Sequence, residues 1–394
     1  MRPVPGFGAL ALLAALPAAA QEAGGIALGS GWSLQPSVTA ELQHDSNFYR
    51  QDDDEESATG TLITPQLGLE YLTRKNQFRL TQRGEFASYS TGSFDDYARY
   101  DIGFDASINE GGQHRFKLSA LRDEGSDPFG TERTELVPAT QRDVDEFVLT
   151  SGEASYTFGA PKALLNVTVF AGGSSKEYQN NRDVTAILDR DRAGGGGELR
   201  VRISPRTGLL LDASHYDVKF DTATNESLRD GSEQRARVGL QWQATATTTG
   251  RVRVGVLRRN MDADDREDFS AADWEVAISW APTSYSEVVF ESGRGTQESY
   301  FEQSDFIDVE HIGLRWHQEW SSRLYSWIGL LGTRYAFEGF DREDDVIQAN
   351  ALFGYAFTRQ FSLEAGVLMQ DRDSNEDQFD FDRLVSHLRL QLQL

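Results

Sequence analysis

Three sets of residues have the types and spacing to do chemistry. The first is His44-Asp45-Ser46-Asn47. On a β-strand, residues two apart share a face, so His44 stands beside Ser46 and could take its proton, making a nucleophile toward a lipid ester. That reaction also needs an oriented base and donors for an oxyanion, and the sequence places no residue for either task. Asp45 and Asn47 fit the plainer role of capping a strand end. The second set is the acidic run Asp52-Asp53-Asp54-Glu55-Glu56. Its oxygens suit Ca²⁺ and a bridge to lipopolysaccharide phosphates, but it lacks the glycine and ligand spacing of an EF-type loop and reads first as a solvated loop. The six histidines, at 44, 114, 215, 311, 317 and 387, make no metal motif. No catalytic set, cofactor or metal site is expected from these groups.

The third set is a row of charges at every second position. Arg200 and Arg202, Arg235 and Arg237, and Arg251 and Arg253 each flank one apolar residue. Glu275, Glu287, Glu291, Arg315 and Arg389 continue the row, and Arg115, Lys117, Glu198, Asp212, Gln241, Gln243, His317, Gln391 and Gln393 share its phase. Two roles fit. Cross-strand ion pairs of this kind brace a wall, and a partly basic stripe guides an anionic solute or polysaccharide through a pore. The two are compatible.

Such a row requires strands, and alternation runs through the chain from Trp32 onward. Leu34, Val38, Ala40 and Leu42 alternate with polar residues, as do Leu165, Val167 and Val169, and Leu199, Val201 and Ile203. Val252, Val254 and Val256, then Trp274, Val276, Ile278 and Trp280, and finally Leu388, Leu390, Leu392 and Leu394 repeat the pattern. A period of two over about ten residues is a strand with one apolar and one polar face. Tight turns are expected at Arg74–Gln77, Glu110–Gln113, Gly159–Lys162, Ser204–Gly208, Thr245–Thr249, Pro282–Tyr285, Ser321–Arg323 and Thr358–Gln360. Longer acidic connections lie between them, among them Gln51–Thr59, Asp123–Asp143, Ser174–Arg192, Asp221–Gly231, Asp262–Ala272, Glu338–Asp345 and Asp373–Asp377.

This two-length alternation predicts an all-β, transmembrane, antiparallel up-and-down barrel in the bacterial outer membrane, of about 18 strands. Irregular stretches at Glu85–Tyr97 and near Phe147 leave 16 open. A one-residue slip of the Val252–Val256 strand would turn Arg251 and Arg253 into lipid at about 2–4 kcal/mol each, so the charged set is expected to face the lumen. Trp32, Trp242, Trp274, Trp280, Trp316, Trp320, Trp327, Tyr71, Tyr156 and Tyr335 are expected on the outer face as interface girdles or lipid-facing filler.

Composition agrees. Asp+Glu is 62 against Lys+Arg 38, a net charge of −24, which excludes a general nucleic-acid binder. With no cysteine, thiol catalysis and disulfide scaffolds are excluded. Residues 1–20 read as a signal peptide, with Arg2, an apolar stretch Leu10–Leu16 and small residues Ala18-Ala19-Ala20. Residues 21–31 read as a flexible periplasmic lead-in and 32–394 as the barrel.

The chain resembles the outer-membrane beta-barrel, porin-2-like family. The resemblance lies in His44-Asp45-Ser46-Asn47-Phe48-Tyr49-Arg50, in Trp274–Ser286 with its Trp-Ala-Pro turn, in Gly293–Ser299 and in Arg315–Trp320. It implies a passive conduit, associated with export of an extracellular polysaccharide, and no catalytic residues. Its partners would be outer-membrane lipid, lipopolysaccharide, the barrel-assembly machinery and polysaccharide-export components. Barrels of this kind usually end in Phe or Trp, where this chain has Leu394. A closed surface barrel whose acidic loops bind cations, lipopolysaccharide or a partner is the alternative. A lipid hydrolase is the third reading, because His44 and Ser46 also resemble part of outer-membrane phospholipase A, whose following glycine is Phe48 here.

Overall fold

Among the described residues the alternation becomes nineteen strands in one sheet. The computed structural model describes residues 25–91, 96–136, 144–221, 229–243 and 247–394. The expected signal, Met1–Ala20, lies outside the described residues, as do parts of the connections Asp123–Asp143, Asp221–Gly231 and Thr245–Thr249. In chain order the strands are β1 (Ile26–Gly29), β2 (Trp32–Asp45), β3 (Ala58–Leu72), β4 (Gln77–Tyr89), β5 (Tyr97–Ile108), β6 (His114–Asp127), β7 (Asp145–Phe158), β8 (Leu165–Tyr178), β9 (Arg190–Ser204) and β10 (Thr207–Phe220). They continue as β11 (Gly231–Gln243), β12 (Thr248–Met261), β13 (Phe269–Thr283), β14 (Ser286–Gln297), β15 (Phe306–Glu319), β16 (Leu324–Glu338), β17 (Arg342–Ala356), β18 (Phe361–Ser374) and β19 (Phe381–Gln393).

Each strand from β2 to β19 pairs antiparallel with the next. The ring closes where β19 pairs with β2, Val385 opposite Asp45 and Gln393 opposite Ser37. It is an eighteen-strand, up-and-down barrel. Closure matters because lipid offers no hydrogen-bond partner to a free strand edge. Eighteen strands about 4.8 Å apart, tilted by about 40°, give a backbone diameter of about 35 Å, wide enough for an aqueous channel.

The strip Ile26–Gly29, within the segment read as a flexible lead-in, is ordered as β1. It pairs with β2 with Ile26 opposite Leu34, on the edge that β19 leaves open when it ends at Gln393. A turn through Gly29, Ser30 and Gly31, all at positive φ, reverses the chain there; glycine takes that conformation at little steric cost. An unpaired edge is a liability, and β1 covers part of it.

Barrel strands run 12 to 15 residues, longer than the nine to eleven that span the apolar band. The surplus lies at the end bearing the long connections. There the outer face turns charged, as in the exposed pairs Arg122–Glu124 at 3.1 Å and Arg334–Glu343 at 2.5 Å. Below this level the outer face is apolar, with Val254, Val256, Leu211, Leu240 and Leu388 exposed. Short turns mark the periplasmic end and long loops the cell exterior. Trp32, Tyr71, Trp242, Trp280 and Trp320 stand near the short turns and fit a periplasmic girdle. Trp327 and Tyr335 do not. In β16 they share the phase of Gly329 and Leu331, so both point inward, and Trp327 is buried under His317 with ring centroids 4.1 Å apart.

The two faces give a direct test. Val254→Arg places a guanidinium in lipid and should lower folding stability in bilayers by about 2–4 kcal/mol, read from urea unfolding of vesicle-inserted protein by tryptophan fluorescence.

Candidate functional site

The inward face of β9 to β13 carries most of the charged row. Arg253 on β12 sits opposite Glu275 on β13, and Arg237 on β11 opposite Asp212 on β10. Arg237 Nε donates to Asp212 at 2.9 Å and Nη1 lies 3.4 Å from Glu275. Arg251 and Arg253 reach Glu275 at 3.3 and 3.4 Å. Arg253 Nε is 3.3 Å from Asp212, and its Nη2 donates to Glu198 at 2.5 Å. Glu198 belongs to β9, three inter-strand spacings from β12, about 14 Å along the wall. Side chains that far apart meet only by leaning together across the concave side, so this face is the lumen.

The network continues toward the outer mouth. Arg235 Nε lies 3.2 Å from Glu233 and its Nη1 3.9 Å from Asp273. Arg192 on β9 donates to Glu233 at 2.9 Å. Five guanidiniums (Arg192, Arg235, Arg237, Arg251, Arg253) therefore interleave with five carboxylates (Glu198, Asp212, Glu233, Asp273, Glu275) for no net charge.

The remaining expected residues fall outside this ladder. Arg389 bridges Glu41 at 2.7 Å and Glu364 at 3.3 Å, tying β2, β18 and β19 together near the seam. Ser279 donates its hydroxyl to Glu287 at 2.5 Å. Glu291 stands on the inward face between Ala277 and Gly313. Arg315 lies over the Trp327 ring at 6.0 Å. Arg200 and Arg202 share the phase of Glu198 on β9 but make no ion pair among the described residues.

His44 and Ser46 are held apart from each other. His44 Nδ1 contacts Thr59 Oγ1 at 3.1 Å, and Ser46 Oγ accepts the Leu384 N–H at 2.8 Å. Asn47 is fully buried and donates to Gln51 O and Asp382 O, with Asp45 Oδ1 accepting its N–H. The string is a strand-end cap, built as Asp45 and Asn47 suggest.

The structure adds a feature that alternation does not reveal. The connection between β6 and β7 folds into the outer mouth and carries Glu135 across the barrel. Its carboxylate accepts from Arg342 Nη2 at 2.9 Å, Arg372 Nη1 at 2.5 Å and the Tyr300 hydroxyl at 3.0 Å. Arg342 opens β17 and Arg372 lies in β18, six strand steps from β6 around the ring. Arg342 is fully buried and sits over the Phe379 and Phe337 rings at 3.6 and 4.5 Å. Phe301, Ile307, Val309, Phe337 and Phe379 pack as an apolar core around it, inside the barrel. Tyr49, Phe129 and Val144 form a second cluster, where Arg50 donates to Phe129 O. Arg229, also fully buried, binds Ser299 O at 2.6 Å and Ile187 O at 2.9 Å, joining three further loops. Arg342 and Arg372 were findable in principle from their inward phase, whereas nothing in the local pattern marks Glu135.

A wide closed barrel with a charged lumen and an infolded loop is a porin-like channel of the outer membrane. The family described as "Putative beta-barrel porin 2" matches residues 19–394, and the chain belongs to it. Such proteins are passive channels rather than enzymes, which removes the hydrolase reading. No curated protein matches the chain. Among solved structures it is similar to OccK2 (OpdF) of Pseudomonas aeruginosa, at 14% identity over 92% of this chain and 98% of that one, TM-score 0.48. It is also similar to opdK of Pseudomonas aeruginosa (11%, 92% and 99%, 0.49) and to a BenF-like porin of Pseudomonas fluorescens Pf-5 (11%, 92% and 98%, 0.49).

Two outcomes follow for the outer mouth. Glu135→Gln leaves Arg372 buried without its carboxylate, while Arg342 keeps Asp344 at 2.6 Å, and stranding one buried charge typically costs about 3–5 kcal/mol. The variant's heat-modifiable gel shift should move to lower temperature and its bilayer current should become noisier. At the neighbouring loop, Arg259 holds Glu298 through two hydrogen bonds of 2.8 and 2.5 Å. Burial raises the Glu298 carboxyl, but the guanidinium outweighs it and keeps the carboxyl below its usual range. The folded value being depressed, this contact's contribution is complete above about pH 4.3 and disappears as pH falls through the lower folded value. Acid titration of unfolding should therefore show a smaller loss below about pH 4 in Glu298→Gln than in the parent.

Proposed function

We propose that this channel is a passive conduit for an anionic solute and that its service is export of an extracellular polysaccharide. The observation that carries the reading is the arginine-rich inward face of β9 to β12, which holds cations at successive depths of the lumen. Weak binding at several sites lets a charged solute enter without trapping it. The ladder's arginines are neutralised by carboxylates, so net attraction falls to Arg200 and Arg202, which have none. The polysaccharide itself rests on the family resemblance. On this reading Met1–Ala20 is the export signal, and the acidic loops meet lipopolysaccharide through divalent cations. The assembly machinery inserts the chain, and export components dock at the periplasmic end.

Single-channel recording of the refolded mature protein in a planar bilayer tests this. The expected result is steady conductance with anion preference, shifted toward cations by Arg200→Gln with Arg202→Gln. Arg237→Gln should change selectivity less and stability more, because it takes from Asp212 its shortest ion pair and from Asp273 one of two guanidiniums. A silent bilayer, with insertion shown by heat-modifiable mobility, would favour the closed surface barrel instead.

A further inference from the structure

The lumen wall has a second charged region, and it differs from the ladder in how its cations are met. At the periplasmic third of β6 and β9, Arg115, Lys117, Arg200 and Arg202 face inward. None of the four forms an ion pair among the described residues. In a chain with 62 acidic residues and net charge −24, carboxylates are abundant, and every ladder arginine has one. Between the cations, β7 presents Ser155 and Thr157 and β8 presents Asn166 and Thr168, with the two threonine hydroxyls 2.8 Å apart; Phe170 lies beyond them in line with Ser155, and Glu198, opposite Thr168, is held by Arg253.

Geometry makes this a trough. The cation rows are three inter-strand spacings apart, about 14 Å, with a low hydroxyl and amide floor between them. Gly208 leaves room for one wall: a Cβ there would stand 3.2 Å from Arg200 Nε. Asn166 adds a buried donor to the floor. Its Oδ1 accepts from Arg115, and its register partner on β9 is Arg200. That Nδ2 has no partner although Asn166 is only 4% exposed. A buried amide donor left unsatisfied is costly, so an acceptor is expected there.

We propose that this trough binds an acidic saccharide. Carboxylates engage Arg200, Arg202 and Lys117, while sugar hydroxyls meet the Ser/Thr floor and an acceptor takes the Asn166 N–H. The proposal rests on the conduit reading and names the chemistry of its solute. The trough opens toward the periplasmic mouth, the end opposite the loops anchored by Glu135, and so meets a solute entering from inside the cell.

The test is equilibrium binding of oligogalacturonate to the detergent-solubilised mature protein by calorimetry, with a neutral malto-oligosaccharide of equal length as comparison. The acidic saccharide should bind, the neutral one at least about tenfold more weakly, and added salt should weaken only the acidic one. Lys117→Gln with Arg202→Gln should weaken acidic binding about tenfold, with native heat-modifiable mobility as the folding control. Asn166→Ala tests the floor without altering charge and should weaken binding as well. Equal binding of both saccharides, no binding of either, or unchanged binding in the charge variant overturns the proposal. Conductance separates the two readings. Current without saccharide binding leaves the conduit and removes the trough, whereas binding without current leaves the trough and removes the conduit.

Discussion

Every feature of this molecule descends from one constraint: within lipid, a backbone N–H or C=O finds no partner outside the protein. A sheet can meet that demand only by closing, and here the seam between β19 and β2 does so. Closure then fixes the side chains. With a period of two, each strand must send one set of residues to lipid and the other inward, and the cost of an arginine in hydrocarbon decides which set is which. Arg251 and Arg253 face the lumen because Val252 and Val254 face the bilayer. The same seam explains β1, which occupies backbone edge that the last strand leaves uncovered.

Placing so many charges inside creates a second demand. An arginine in a confined lumen loses part of its hydration, and a nearby carboxylate restores the balance. Over β9 to β13 this demand is met almost residue for residue, with Arg253 alone engaging Glu198, Asp212 and Glu275. The ladder is thus better understood as wall than as selectivity filter. Its pairs span several strands and resist flattening of a wide ring. The cations of β6 and β9 without an ion pair lie nearer the periplasmic rim.

The barrel was legible in the sequence because its determinants are local. Alternation along Leu199–Ile203 or Val252–Val256, and turns such as Ser204–Gly208 and Pro282–Tyr285, depend on neighbours within a few residues. The inward phase of Arg237 and Glu275 follows from that same local pattern. What escaped is what depends on contacts between distant segments. Trp327 looked like an interface residue by type, but its phase in β16 sends it inward under His317. Glu135 sits in a connection without periodicity, and its partners Arg342 and Arg372 are 207 and 237 residues away. No local pattern encodes such a contact. Nor does composition tell a paired arginine from a free one: Arg200 and Arg253 look alike until the register sets one opposite Asn166 and the other opposite Glu275.

The two mouths are built on different physics, and the difference bears on how a solute would cross. At the outer mouth, loops from across the ring pack aromatic side chains around buried guanidiniums, with Phe301, Phe337 and Phe379 about Arg342. Such a cluster rearranges cooperatively, since moving Glu135 would strip Arg372 of its carboxylate and Arg342 of one of its two. Among the described residues the inner mouth has no such cap. Its short turns are tight hairpins, and its inward side chains are cations over small polar residues on β6 to β9 and the packed Tyr325, Trp327 and Leu352 on β16 and β17. A solute can therefore concentrate at the inner end by attraction alone, whereas passage at the outer end is governed by loops held together through charge and aromatic packing. On the conduit reading, attraction in one place and restriction in another would separate selectivity from gating within a single chain.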